Sequence, residues 1–150
     1  MIRASAILLC SVFLIAPSAH ADFADGAQAF DGGDYTTAFA EWIRLAETGD
    51  VTAQVAIAGI YRAGTGRTVD IGKAAHWYSK AARAGDAVAQ MNLGEMYQHG
   101  WGVKQDPVMA YGWYERAAAQ GKQWAATQQE ALAKSMTADQ IAAARNGVKN

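Results

Sequence analysis

Cysteine is nearly missing from this chain: Cys10 stands alone, inside an apolar run near the N-terminus. Leu9 precedes it and the run continues beyond it, which does not suit a lipidation site. Without that segment the chain has no disulfide, no thiol nucleophile and no cysteine metal ligand, so packing alone must hold it together. Long apolar stretches are missing too. Residues 7–16 fall well short of the roughly 20 apolar residues that cross a bilayer. A charge excess is also lacking, with a formal net charge of −1, so nothing global points to nucleic acid. No stretch alternates apolar and polar residues long enough to make a strand, which leaves an all-α chain.

The short apolar run has its own reading. Arg3 precedes it, Pro17 breaks it, and Ala19-His20-Ala21 follows with the small-x-small pattern of a secretory cleavage site. Residues 1–21 are therefore expected to be a signal peptide, removed before Asp22. The product is periplasmic or secreted, with no stable membrane insertion after cleavage. Residues 22–150 form a single domain by length. Its charge is uneven: residues 22–50 carry seven acidic groups against Arg44 alone, a net of −6, whereas residues 51–150 carry +4. That acidic start suits either a solvated terminal unit or a surface that steers a partner.

What the chain has in abundance is repetition. Ala53-Gln54, Tyr61, Gly64, Gly66, Asp70, Ala74, Trp77-Tyr78, Ala81-Ala82 and Gly85 recur 36 residues later as Ala89-Gln90, Tyr97, Gly100, Gly102, Asp106, Ala110, Trp113-Tyr114, Ala117-Ala118 and Gly121. A period of this length marks a solenoid, whose units bury their apolar faces only against their neighbours. Ala53, Ile57, Ile60 and Tyr61 form one stripe of a 3.6-residue helix, and Ala89, Leu93, Met96 and Tyr97 repeat it. Gly64 and Gly100 sit where a helix ends in the left-handed conformation. Asp70 and Asp106 sit where the next helix is capped, and Pro107 suits a first helical position. Alanines opposite Trp and Tyr let the paired helices approach closely.

The first unit is shorter. Residues 23–30 are expected as a brief helix, Gly32-Gly33 as a turn, and Asp34 as the cap of a second helix with Ala38, Trp42, Leu45 and Ala46. Residues 123–135 read as another first helix. Thr137 to Gln140 is a capping box that opens a last helix with a polar, exposed end. The units therefore fall at about 22–50, 51–86 and 87–122, followed by capping helices over 123–147.

The repeated phrase resembles the Sel1-like repeat, a relative of the tetratricopeptide repeat. The third unit matches closely through Ala89, Leu93-Gly94, Tyr97, Gly100-Trp101-Gly102-Val103, Asp106, Ala110, Trp113-Tyr114, Ala117-Ala118 and Gly121. The second departs with Ile57-Ala58 for Leu-Gly and Arg67 for Val. The resemblance implies a right-handed α-solenoid of stacked antiparallel helix pairs. It also implies a scaffold or adaptor for other proteins, often in the bacterial periplasm or outside the cell.

Motifs of other chemistries are weak. Gly64-Thr65-Gly66 and Gly100-Trp101-Gly102 follow no strand and lack the phosphate-loop lysine, so they read as turns and no cofactor is expected. His76 and His99 lie out of register in different units, which does not make a metal site; His76 is expected half-buried beside Trp77. His76 and Ser79 are spaced to touch, yet no acidic orienter follows, and Ser135 sits in no nucleophile motif. The chain is read as non-enzymatic.

The candidate site is a row on the first helices of the units, which line the inner face. Outside the repeated stripe, Val55, Gly59 and Arg62 of one unit become Met91, Glu95 and Gln98 of the next. Trp101, whose counterpart is Thr65, joins them from the loop, either as a rim anchor or folded back over Pro107 or the next repeat. The expected ligand is a protein or peptide segment. The alternatives are a cell-wall glycan on Trp101, Trp124 and nearby tyrosines, and a cell-wall hydrolase.

Overall fold

The computed structural model describes residues 19–148. The apolar run of the expected leader lies outside them. Eight α-helices and no strand are found among the described residues: α1 (Ala19–Asp31), α2 (Tyr35–Glu47), α3 (Val51–Ala63), α4 (Ile71–Arg83), α5 (Ala87–His99), α6 (Pro107–Ala119), α7 (Gln123–Ala133) and α8 (Ala138–Gly147). Consecutive helices pack against each other from α1 to α7. The result is an α-solenoid with α1, α3, α5 and α7 along one side and α2, α4 and α6 along the other.

The punctuation works as local chemistry demands. Oδ1 of Asp70 accepts from the Lys73 amide at 2.9 Å, and Oδ1 of Asp106 accepts from Val108 and Met109 at 2.9 and 3.0 Å. Asp34 does the same for Thr37 at 3.0 Å. Two caps escaped the reading of the sequence: Asp50 and Asp86 bind the amides of Ala53 and Ala89, each at 2.7 Å. Gly64 and Gly100 end α3 and α5 at φ 71° and 72°, a conformation that penalises a Cβ.

The expected brief first helix is corrected. α1 has 13 residues, as many as each of α2 to α6, and only its connection to α2 is short. α1 precedes α3 by 32 residues while α2 precedes α4 by 36, so the missing four residues all come from the loop. Gly26 therefore occupies the place of Ala58 and Gly94. In the first and third pairs a large ring from the second helix covers this spot, Trp42 over Gly26 and Tyr114 over Gly94. The close approach is tightest at Gly26, where a Cβ would run into the Trp42 indole, and at Gly94 a Cβ would stand 2.7 Å from the Tyr114 ring. Trp42 also stacks on Phe23 and donates its indole N–H to the Phe23 carbonyl at 3.1 Å.

Units are joined by a second device. Gln54 and Gln90, both buried, donate Nε2 to the carbonyls of Ala46 and Ala82 at 3.1 Å, tying the start of one pair to the end of the previous one. The alanine stripe Ala74, Ala81, Ala110 and Ala117 is fully buried.

The end of the array also departs from expectation. The capping box of α8 forms, with Thr137 Oγ1 accepting from Gln140 N and Gln140 Oε1 from Thr137 N. The helix is not a free polar terminus, however. It packs on α6, burying Ala144 and Val148, and the Ala144 carbonyl passes so close to Gly112 that a Cβ there would stand 2.7 Å away.

Candidate functional site

α3 and α5 run side by side and present the row singled out in the sequence. Much of that row binds itself. Arg62 of α3 reaches across to α5, where it donates to Asn92 Oδ1 and pairs with Glu95 at 3.2 Å. Gln98 accepts from the Tyr114 hydroxyl at 2.7 Å through its Oε1. That tyrosine is fully enclosed, and burial, then the Glu95 charge, raise its pKa above the ordinary phenol value. Met91 is half-buried against the cluster of Ala110, Tyr114, Ala117 and Ala125. Val55 packs on the main core, and Gly59 stands over the Tyr78 hydroxyl.

The row is longer than the sequence reading made it. Val88 lies on the Met91 face of α5, a turn earlier, and is 36% exposed. Trp124, 36 positions on, occupies the same place on α7. It is 45% exposed and meets the Tyr114 ring edge-on at 5.6 Å. Together with Met91 these make an apolar strip beside the Arg62–Asn92–Glu95 network. The lag that revealed the repeat also relates Val88 to Trp124, so this extension was open to the same reasoning.

Trp101 does not fold over Pro107. Its ring stacks on His99, centroids 4.7 Å apart and planes 27° from parallel, and it stays 47% exposed. Trp101 follows the end of α5 whereas Trp124 lies at the start of α7, which runs the same way. About 20 Å of 13-residue helix therefore separates the two rings. They do not form one platform.

On the opposite side of the solenoid, His76 is exposed rather than half-buried, with its ring edge-on to Trp77 at 5.3 Å. α4 meets other helices through Ala74, Trp77, Tyr78 and Ala81, and His76 falls outside that stripe. The Ser135 hydroxyl donates to the Leu132 carbonyl at 3.0 Å, a helix-end bond. No described helix is long and apolar enough to cross a membrane.

Two Sel1 repeats are recognised by the family model, over residues 51–86 and 87–122. A Sel1 repeat protein from Oxalobacter formigenes is 35% identical with a TM-score of 0.70, over 75% of this chain and 88% of that one. This chain belongs to the Sel1 repeat family. A second similar structure is c5321, a protective antigen of uropathogenic Escherichia coli strains displaying an SLR fold. It is 30% identical with a TM-score of 0.77, over 85% of this chain but only 28% of that chain. No curated protein shows significant similarity. Sel1 repeats commonly mediate protein–protein contact, and the right-handed α-solenoid found here is the architecture on which they do so.

Proposed function

We propose that this Sel1 repeat protein is an exported, non-enzymatic adaptor that holds a segment of another protein along the inner face of α3, α5 and α7. The observation that carries this reading is the half-exposed strip of Val88, Met91 and Trp124 beside the Arg62–Glu95 pair. Apolar anchors at the centre of a surface supply most binding energy, and adjoining charges set orientation. Met91 adapts to different contacts, and Trp101 offers a second, rim anchor. A wall-glycan platform built from Trp101 and Trp124 has less support, because the two rings lie at opposite ends of the helices.

Crosslinking in the native envelope followed by mass spectrometry identifies the partner. Replacing Arg62, Met91, Glu95 and Trp101 together removes both members of the ion pair at once, so no charge is left without its mate. The quadruple variant is expected to lose the crosslinked partner while keeping wild-type helicity. Recovery of that partner at wild-type yield would move the site elsewhere, with the acidic residues 22–50 as the next candidate. Export is tested separately: the mature N-terminus is expected at Asp22, and a mature chain that begins at Met1 contradicts it.

A further inference from the structure

The outer side of the molecule holds a cleft of about 490 Å³ between α4, α5 and the loop before α6. Its floor is apolar, made by Ala75, Leu93, Tyr97 and Val103, and Lys80 and Arg83 stand on its rim. No acidic side chain lines it. Leu93 and Tyr97 lie about 200° and 240° around α5 from Met91, so the cleft shares no residue with the inner row.

One unit earlier, the same place is plugged. Residues 36 positions back from Ala75 and Val103 are Phe39 and Arg67. The Arg67 guanidinium lies 3.3 Å from the centre of the Phe39 ring and 5.1 Å from that of Tyr61, the counterpart of Tyr97. The space left beside Phe39 and Arg67 is about 70 Å³, and a separate groove of about 270 Å³ lies beside Tyr61, Arg67 and Lys73. An aromatic ring and a planar ion stacked on it thus fill this position from within the chain. Where Ala75 and Val103 replace them, the volume is left open. The rim changes as well: Arg44 and Glu47, opposite in sign, become Lys80 and Arg83, both cationic. Lys80 Nζ lies over the Trp77 ring at 4.6 Å, which holds the ammonium at the cleft edge.

We infer that this outer cleft binds an aromatic carboxylate, its ring on Tyr97 between Ala75 and Val103 and its anionic group on Lys80 and Arg83. The volume suits a small ligand, and the mostly apolar lining with a few directed charges is the usual character of such sites. Two sources carry this chemistry, a free aromatic acid and the carboxyl-terminal aromatic residue of a polypeptide. The inference stands independently of the inner-face reading.

The test uses 2-naphthoate as the probe, followed by amide chemical shifts of the purified protein. Binding is expected to move the amides of Ala75, Gly102 and Val103. 2-Naphthylmethylamine, with the same ring and opposite charge, is expected to bind at least tenfold more weakly. Ala75→Phe with Val103→Arg restores the plug found one unit earlier and is expected to abolish binding. Lys80→Gln with Arg83→Gln changes only exposed side chains and is expected to weaken binding at least tenfold, which decides the matter even if the plugged variant folds poorly. Equal affinity for naphthoate and the amine, or wild-type binding by the Lys80/Arg83 variant, overturns the inference. The source is read from two further probes. Tighter binding of acetyl-glycyl-phenylalanine than of N-acetylphenylalanine assigns the cleft to a chain terminus, and equal binding assigns it to a free acid; failure of both together with naphthoate overturns it.

Discussion

The units at 51–86 and 87–122 share a backbone plan and finish it differently. In the later unit Gly94 lets the Tyr114 ring lie flush on α5, and that tyrosine is completely buried. In the earlier unit Ala58 keeps its methyl group, and Tyr78 is 5% exposed. Gln90 has both ends satisfied, by the Ala82 carbonyl and by Gln120 Nε2 at 2.8 Å. Gln54 has only the Ala46 carbonyl, and its buried Oε1 has no partner, because Ala84 stands where Gln120 stands one unit later. The repeated positions secure turns, caps and close contacts; the variable ones decide how fully each unit is completed. The later unit is also covered by α7 and α8, while the earlier one faces the short-looped first pair.

The largest expected effect that sharpens this comparison comes from the two tyrosines. Tyr114→Ala removes a fully enclosed ring and is expected to cost about 3–5 kcal/mol. Tyr78→Ala is expected to cost less. Denaturant midpoints of the two variants check the order, and equal losses would show that the two packings are energetically alike.

Next is the close approach itself. Gly94→Ala adds a methyl group to contacts of 2.7 Å, and overpacking of this kind costs about 1–3 kcal/mol, partly offset by about 0.5–1 kcal/mol of helix propensity. A net loss is expected in thermal unfolding, whereas Gly59→Ala, whose Cβ would meet the Tyr78 hydroxyl at 4.0 Å, is expected to be tolerated.

A comparable effect breaks the asymmetry from the other side. Ala84→Gln introduces the donor that Gln54 lacks and is expected to stabilise by about 0.5–1.5 kcal/mol. Gln120→Ala makes the later unit resemble the earlier one and is expected to destabilise by about 1–3 kcal/mol, since it leaves Gln90 Oε1 buried without its donor. Urea titration of both variants reads the two signs. Two changes in the same direction would break the proposed correspondence of positions 84 and 120.

The smallest effect concerns acid. The Thr37 hydroxyl and amide lower the pKa of Asp34, and the Lys73 amide chiefly lowers that of Asp70. A carboxylate depressed in the folded state stabilises above its unfolded pKa of about 3.9, and that contribution disappears as pH falls through the folded value. Melting temperature is therefore expected to fall below about pH 4, and Asp70→Asn, a neutral cap, is expected to flatten that fall.

Helix pairs, their caps and the buried alanine stripe were legible because each depends on residues a few positions apart. Asp34, Asp70 and Asp106 bind amides two or three residues on, and Gly64 and Gly100 end helices through their own backbone. The length of α1 was less legible, because the short Gly32-Gly33 loop shifts its register from 36 to 32 and hides it from the main lag. The row of Val55, Gly59, Arg62, Met91, Glu95, Gln98 and Trp101 was readable as a face. That Arg62 is bound to Asn92 and Glu95 was not, since those partners lie 30 and 33 residues away and no local rule joins them. The exposure of His76 was likewise unreadable, because it depends on which side of its helix the neighbours cover.

Periodicity and punctuation by themselves determined an all-α array with a 36-residue repeat, because hydrogen bonding, capping and amphipathic burial act within a helix or across one turn. Only the tertiary structure decided that α8 closes back on α6, that the inner charges pair across units, and that Phe39 and Arg67 fill a space which Ala75 and Val103 leave open. Those outcomes depend on side chains from different units meeting in one volume, and the size and charge of both partners settle what remains free for a ligand.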